Sequence, residues 1–148
     1  MSLNLDMQIL IWSHKFFYMR ELKKIKYKEL NAKQKENYNF HKVASVLADY
    51  GYDCMRLNND WEGADFIAVK GDDMLKVQLK GRLTLDKKYI DKDIYIVFLE
   101  DDKVKLYSHD EVFELFPEKS RQSISWQKDG SYSWGKTPKS YESVIRIL

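Results

Sequence analysis

The chain has 148 residues, of which 44% are hydrophobic and 32% are charged, and its formal net charge is +2. This length and balance fit one globular domain with its own core, and they exclude a disordered chain. The net charge is too small to argue for nucleic-acid binding by itself. The single cysteine, Cys54, excludes an intrachain disulfide framework and a multi-cysteine zinc site, and it predicts a reducing, cytoplasmic setting.

An apolar stretch occupies residues 7–19, but His14 and Lys15 interrupt it. It is also shorter than the roughly 20 residues that a membrane-spanning helix needs. Asp6 precedes it and basic residues follow it, which is the reverse of a signal peptide. We therefore predict neither a membrane span nor a targeting signal. Residues 1–30 are expected to form a helical extension that packs on the domain or on a second copy, and a mis-assigned start codon is the alternative.

Residues 31–148 are expected to form a single α/β domain, and a helix opens it. Within residues 33–53, apolar residues recur at spacings of three and four, and Gly51 stands where a helix C-cap belongs. These apolar positions are Phe40, Val43, Ala44, Leu47 and Ala48. The pattern is typical of an amphipathic helix that ends at the glycine.

Strand signals follow the helix. Residues 54–57 predict a short strand and residues 58–63 a polar loop. Two apolar runs then occupy residues 64–69 and 74–80, separated by the sequence KGDD, whose glycine and aspartates favour a turn. This spacing predicts a β-hairpin.

The second half of the domain alternates between strand and helix signals. Residues 82–93 have no helical stripe and are expected to be extended or irregular. Residues 94–99 form a continuous apolar run, which is typical of a strand covered on both faces. The other predicted elements are a strand at 104–107 that pairs with this run, a helix at 109–116 that Pro117 stops, a hairpin at 124–134, and a last helix or strand at 139–148. The sequence thus predicts one α/β domain with a mixed sheet flanked by helices.

An acid, an amide and a lysine stand at the ends of the two predicted hairpin strands. Asp65 opens the first strand, and Gln78 and Lys80 close the second. Residues two apart on a strand point to the same face, so Gln78 and Lys80 project together. The start of one hairpin strand lies opposite the end of the other, and the three side chains are therefore expected to converge at one end of the sheet.

These groups suit metal-assisted attack on a phosphodiester. Mg²⁺ prefers oxygen ligands, keeps several waters and uses one or two protein carboxylates. Asp65 supplies a carboxylate, Gln78 a side-chain carbonyl and Leu79 a backbone carbonyl. Lys80 would orient or help deprotonate the attacking water and stabilise charge on the phosphate. Ordinary strand residues that face water are the alternative interpretation.

The motif Asp65 followed by QLK at residues 78–80 resembles that of the PD-(D/E)XK nuclease superfamily. That motif is an acid at the start of one strand, then an acid or amide, one further residue and a lysine on the next strand. The Gln form occurs in several branches of the superfamily. The order helix, strand, strand, strand in residues 33–80 is also similar to the core of these nucleases.

The resemblance implies a restriction-endonuclease-like core and a DNA endonuclease that depends on Mg²⁺ or Mn²⁺. It also implies that Glu36, on the first helix, is an additional catalytic acid. Cutting both strands of a duplex needs two sites, so a homodimer is expected, with residues 7–19 as a candidate interface. The rival hypothesis is a protein that kept the fold, lost the metal and acts as a DNA-binding or protein-interaction module, for which the acidic residues 100–118 offer a surface.

Residues near the motif are candidates for binding nucleic acid. Arg82, Lys87 and Lys88 follow the QLK strand and would contact phosphates, although each is also compatible with ordinary surface. Trp61, in the predicted polar loop, would stack on an unpaired base. Glu62, in the same loop, is a weaker candidate for reaching the metal. His109 is expected in a helix cap, and Trp126 and Trp134 are expected in the core rather than in base stacking.

Overall fold

The computed structural model describes residues 20–148, apart from the side chain of Asp60. A boundary between two compact units of the chain lies after Leu30. The described part of the first unit contains a short 3-10 turn at Tyr27–Glu29. The apolar segment 7–19, with the helix and the interface predicted there, lies outside the described residues.

Helix α1, Ala32–Asp49, opens the second unit, as the sequence predicts. The Asn31 side chain accepts a hydrogen bond from the backbone N–H of Gln34, and the Gln34 side chain accepts one from the N–H of Asn31. This reciprocal pair satisfies two of the N–H groups that a helix start leaves without partners. Gly51 follows the helix with a φ of +84°, a left-handed conformation that glycine adopts without strain.

Eight strands and several short helical segments make up the rest of the unit. The strands are β1 (Asp53–Trp61), β2 (Ala64–Lys70), β3 (Asp73–Leu79), β4 (Thr84–Asp86), β5 (Ile94–Glu100), β6 (Lys103–Ser108), β7 (Ser131–Ser133) and β8 (Arg146–Ile147). The helical segments are α2 (His109–Glu114), α3 (Glu118–Arg121), 3-10 turns at Lys87–Tyr89 and Lys139–Tyr141, and a π-helical turn at Ser125–Asp129. None of the helices within residues 20–148 is long and apolar enough to cross a membrane.

The main sheet has six strands in the order β1-β2-β3-β5-β6-β8, and β4 pairs with β7 in a separate two-stranded sheet. Neighbours in the main sheet are antiparallel except for β3 and β5, which run parallel. Residues 71–72 join β2 to β3 in the hairpin that the sequence predicts. The α/β class with a mixed sheet is therefore confirmed, and the sheet is mostly antiparallel.

The main sheet carries a hydrophobic core on each face. Helix α1 covers one face, where the rings of Phe40 and Phe66 pack edge to face with centroids 5.3 Å apart. The other core is built largely from segments that follow β3, and its buried residues include Leu83, Leu85, Tyr89, Phe98, Tyr107, Trp126 and Tyr141. Strand β5 contributes Val97 to the first core and Ile96 to the second, so it is buried on both faces, as predicted.

Two predicted elements are wrong. The loop expected from residue 58 onward does not form there, because residues 58–61 continue β1 and a two-residue turn at Glu62 and Gly63 leads to β2. The polar residues at this end of the edge strand lack the alternation of apolar and polar side chains from which a strand is predicted. Residues 124–134 do not form a hairpin, because β7 pairs with β4 instead. A π-helical turn precedes β7 and buries Trp126 in the aromatic core.

Replacing Phe66, which is fully buried, tests the core beneath α1. In Phe66→Ala, lost apolar burial and the cavity left behind should lower the free energy of unfolding by about 3–5 kcal/mol. Met74→Ala lies on the same hairpin but at a side chain that is 48% exposed, and it should change this free energy by less than about 1 kcal/mol. Urea denaturation followed by circular dichroism measures both. Equal losses would contradict the assignment of Phe66 to the core.

Candidate active site

A hydrogen-bonded cluster joins the start of β2 to the end of β3. Gln78 Nε2 donates to Asp65 Oδ2 at 2.7 Å, and the backbone N–H of Leu79 donates to the same oxygen at 2.9 Å. Gln78 Nε2 also donates to the Leu79 carbonyl at 3.2 Å. The structure thus brings together the acid and the amide that lie thirteen residues apart in the chain.

The register of the hairpin produces this contact. Phe66 lies opposite Val77, and both side chains belong to the core beneath α1. Side chains alternate between faces along a strand, so Asp65 and Gln78 point to the other face of the sheet. Lys80, two residues beyond Gln78, follows on that face, and its backbone N–H donates to a carbonyl of β5 at 3.0 Å.

Two lysines lie over one buried ring. Lys80 Nζ is 5.3 Å and Lys88 Nζ is 4.9 Å from the centroid of the Tyr89 ring, which is within the range of cation–π attraction. The ring also packs against the turn between β1 and β2, because a Cβ on Gly63 would lie 2.6 Å from Cε1 of Tyr89. Tyr89 therefore contacts both positive charges, and its ring leaves no room for a side chain at position 63. Lys88 Nζ also lies 3.9 Å from the carboxylate of Asp86.

An open cavity of about 280 Å³ lies beside this cluster. Strands β1, β2 and β3 and the turn after β4 supply its walls. The lining residues are Leu57, Asn58, Asn59, Ala64, Asp65, Gln78, Lys80, Lys88 and Tyr89. A carboxylate, three amides and two ammonium groups thus border one small volume, whose size is near the lower end for ligand-binding cavities.

Burial raises the pKa of the Asp65 carboxyl above its usual value, because the ionised form loses water. The Leu79 N–H and the charge of Lys80 lower this pKa, but they offset only part of the effect of burial. The environment provided by the protein therefore favours the ionised form less than water does. A carboxylate in this condition gains from a bound cation, and a perturbed carboxyl in a cavity is a typical feature of functional sites.

Glu36, the additional acid predicted on α1, is engaged by two basic side chains. Its carboxylate pairs with Lys33 Nζ at 2.9 Å and with the guanidinium of Arg56. The hydrogen bond from Lys33 is the largest cause that holds the pKa of Glu36 below its usual value. The charge of Glu36 raises the pKa of Asp65, so the two carboxyls interact electrostatically. The cavity beside Asp65 is bordered by other residues and not by Glu36.

Arg56 is a residue that the sequence interpretation missed. Its guanidinium lies 4.9 Å from the centroid of the Phe40 ring and donates to Asn37 Oδ1 at 2.5 Å. Its charge lowers the pKa of both Asp65 and Glu36. The sequence did contain a signal, namely a single basic residue within a short strand that is otherwise apolar.

The oxygen atoms around Gln78 fit a hard divalent cation. Asp65 Oδ2 and the Leu79 carbonyl both accept from Gln78 Nε2, so two oxygens converge on one electropositive group. Mg²⁺ and Mn²⁺ take carboxylate, carbonyl and water ligands. Rotation of the Gln78 amide by 180° would bring its carbonyl Oε1 to the place of Nε2 and complete a set of three protein oxygens. Within residues 20–148, no three His, Cys, Asp or Glu side chains gather in a metal-binding arrangement, so the charge of this donor set comes from Asp65.

The predicted nucleic-acid contacts differ in their positions. Lys88 borders the cavity, and Trp61 ends β1 with 45% of its side chain exposed. Arg82 is exposed in the segment after β3. Lys87 points elsewhere, since its Nζ lies 5.3 Å from the ring centroid of Trp126 in the aromatic core. Of the four, Lys88 is therefore the one that lines the cavity.

Glu62, the weaker candidate for the metal, has a different partner. Its carboxylate accepts a hydrogen bond from Lys76 Nζ at 2.7 Å, and this contact is the largest cause that lowers the pKa of Glu62. Lys76 also donates to the backbone carbonyl of Lys92. The structure thus places Glu62 in an ion pair at the β1–β2 turn instead of in the cluster of Asp65.

His109 supports the turn that carries Lys88 and Tyr89. It is the first residue of α2, whose cap is Ser108, and its ring is fully buried. His109 Nε2 accepts a hydrogen bond from the backbone N–H of Asp86 at 3.1 Å. Accepting this bond requires an unprotonated Nε2, and burial lowers the pKa of the imidazole. The sequence gives no sign of this long-range contact.

No protein-family model matches this chain, and no curated protein is significantly similar to it. Its activity must therefore be inferred from the chemistry of the cluster at Asp65, the cavity beside it and the sheet that holds both.

Replacing Asp65 by asparagine tests how far the charge of its carboxylate destabilises the folded protein. Because the folded-state pKa is raised, the ionised group makes folding less favourable as pH rises through and above the ordinary value of 3.8. The amide oxygen introduced by Asp65→Asn would still accept from Gln78 and Leu79. This variant should therefore melt at the same or a higher temperature than the wild type at pH 7. Asp72→Asn, in the exposed β2–β3 turn, is the control, and marked destabilisation confined to Asp65→Asn would contradict this account.

The lowered pKa of His109 predicts a loss of stability in mild acid. The unfolded chain takes up a proton near the ordinary value of 6.5 while the folded protein resists it, so the stability that neutral His109 provides is lost as pH falls below about 6.5. His109→Gln retains an acceptor but does not titrate. Its melting temperature should fall less than that of the wild type between pH 7 and 5. His41→Gln, at an exposed position of α1, should follow the wild type; a parallel decline in all three proteins would refute the role of His109.

Proposed function

We propose that this protein is a Mg²⁺- or Mn²⁺-dependent DNA endonuclease that hydrolyses phosphodiester bonds. The observation that carries the proposal is the cluster of Asp65, Gln78 and Leu79 at one end of a hairpin, with Lys80 beside it on the same cavity. An acid, an amide oxygen and a lysine around one open, polar cavity supply the groups that metal-assisted hydrolysis requires.

We further propose that the domain has a restriction-endonuclease-like core. In support, a helix is followed by three antiparallel strands, with the acid on the second strand and QLK at the end of the third. β5 then runs parallel to β3 and adds to the same sheet. The connection between β3 and β5 contains a short strand and a 3-10 turn where the nuclease core is expected to have a helix.

In this proposal Asp65, Gln78 and Leu79 hold the metal through their oxygen atoms. A bound divalent ion would supply Lewis acidity and neutralise charge on the phosphate. Lys80 lines the cavity, and its ammonium would orient the attacking water and stabilise negative charge on phosphate oxygens. Tyr89 holds that ammonium in place by contact with its ring. Glu36 contributes negative charge near Asp65 without lining the cavity.

Lys88 is proposed to bind a phosphate next to the scissile one, because it borders the cavity on the side of Tyr89. Arg82 lies exposed just beyond β3 and is proposed to contact the backbone further along the strand. Cleavage of both strands of a duplex would need two such sites, so the proposal includes a homodimer. Sedimentation at several protein concentrations would test that assembly.

Plasmid nicking tests the proposed activity. Wild-type protein should nick supercoiled DNA with Mg²⁺ or Mn²⁺ and not in EDTA. Asp65→Ala and Lys80→Ala should each lower the nicking rate by at least about 100-fold, since each removes a group that acts on the reacting phosphate. Asp72→Ala and Lys103→Ala are matched controls at exposed positions, and they should retain the wild-type rate.

The absence of cleavage of both plasmid and single-stranded DNA by well-folded protein with either metal would reject the nuclease proposal. Nicking that persists in Asp65→Ala and Lys80→Ala would reject the assignment of the site. Glu36→Gln tests whether Glu36 acts only through its charge. If it does, this variant should lower the nicking rate less than Asp65→Ala does.

Metal-free DNA binding is the second candidate function. One observation favours it: Gln78 Nε2 already satisfies Asp65 Oδ2 and the Leu79 carbonyl, so the cluster is closed by its own hydrogen bonds. Isothermal titration calorimetry separates the candidates. Metal binding that disappears in Asp65→Ala supports the nuclease, whereas salt-sensitive DNA binding without metal binding supports the second candidate.

A further inference from the structure

Strand β1 is strongly bulged opposite Asp65. Arg56 lies opposite Phe66, and Trp61 lies opposite Ala64. Between these two pairs β1 has four residues, 57–60, whereas β2 has only Asp65. Three residues of β1 are therefore in excess of a regular ladder. All four residues belong to β1, so the irregularity lies within the strand. The sequence gives no indication of it.

The bulge shapes the cavity. In a regular strand, adjacent side chains point to opposite faces, so Asn58 and Asn59 would not border the same space. Both line the cavity beside Asp65, together with Leu57. Bulges are frequent next to active sites, where they redirect side chains and interrupt pairing. Here the extra residues place two neighbouring amides at the edge of the proposed catalytic cluster.

We propose that this cavity holds one unpaired nucleotide next to the scissile phosphate, with Asn58 and Asn59 contacting its base. The inference rests on the proposed nuclease function, and it specifies the substrate class: nucleic acid with a single-stranded segment at the cleavage point, such as a single strand or an overhang. A continuous blunt duplex is the poorer substrate.

The chemistry of the cavity wall favours a base over a phosphate at the bulge. Each asparagine amide offers two donors and an acceptor, the combination that reads the pairing edge of a nucleobase. In a duplex that edge is already occupied by the partner base, whereas an unpaired base exposes it. The positive charges of Lys80 and Lys88 border another part of the cavity, where they suit the phosphates on either side of the nucleotide.

Trp61 adds a second element of single-strand recognition. It follows the bulge directly and is 45% exposed, so its ring is accessible to a partner. Exposed aromatic rings stack on unpaired bases with little regard to sequence. Amides, an exposed indole and two ammonium groups thus occur at one end of the sheet, and this combination suits a splayed strand better than the regular surface of a duplex.

Binding in EDTA tests the inference without requiring cleavage. A blunt duplex, the same duplex with an overhang and the corresponding single strand are titrated with the wild-type protein at fixed salt, with fluorescence anisotropy as the readout. The two substrates with unpaired nucleotides should bind at least about tenfold more tightly, as expected when several hydrogen bonds and a stacking contact are gained. Equal affinity for all three would overturn the inference.

Variants test which residues cause the preference for unpaired nucleotides. Asn58→Ala/Asn59→Ala should lose most of the tenfold preference for substrates with unpaired nucleotides. Gln122→Ala removes an exposed amide at a helix end outside the cavity lining, and it should keep both this preference and the wild-type affinity for blunt duplex. A folded double variant that keeps the preference would overturn the role of the two amides. If the double variant does not fold, the order of the wild-type affinities still decides the inference.

Cleavage of the same three substrates with Mn²⁺ distinguishes failure of this inference from failure of the nuclease proposal. Cleavage of all three substrates without any preference would support the nuclease proposal and overturn the proposed nucleotide site. A preference in binding without cleavage would leave the nucleotide site intact and reject the nuclease. Neither binding nor cleavage would reject both.

Discussion

The register of β2 against β3 is the constraint on which the rest of the site depends. The turn at residues 71–72 sets that register, and the core beneath α1 locks it, because a slip of one residue would bring Phe66 and Val77 out of the core. The same register directs Asp65 and Gln78 to the opposite face. The free energy that fixes the candidate site is therefore that of apolar burial on the far side of the sheet, not that of the polar contacts themselves.

Burial and the surrounding polar groups have opposite effects on the pKa of the Asp65 carboxyl. Burial raises the pKa of the Asp65 carboxyl, and the Leu79 N–H and Lys80 offset only part of that effect. Arg56 and Glu36 add opposite charges at longer range, so their effects on Asp65 partly cancel. A neighbouring cation would complete the compensation. This arrangement gives up some stability in the folded chain, as is common at functional sites.

Local sequence patterns predicted the helix, the β2–β3 and β5–β6 hairpins and the buried strand, because each depends on residues close together in the chain. The polar end of β1 was not predicted, since Asn58 and Asn59 lack the alternation that marks a half-buried strand. The pairing of β7 with β4 was also not predicted, because it joins segments about 45 residues apart. Neither segment contains a signal for the other. The support of the Tyr89 turn by His109 belongs to the same class of long-range contact.

The sequence by itself determined that Asp65, Gln78 and Lys80 share one face at one end of a hairpin, because strand periodicity and a short turn are local properties. Only the tertiary structure decided what surrounds them. Tyr89, which follows β4, contacts two lysines of the site. The bulge in β1 lies opposite Asp65 and borders the cavity. Arg56 links the sheet to α1 by its hydrogen bond to Asn37. These features depend on packing between segments distant in the chain, and side-chain spacing along one segment carries no information about such packing.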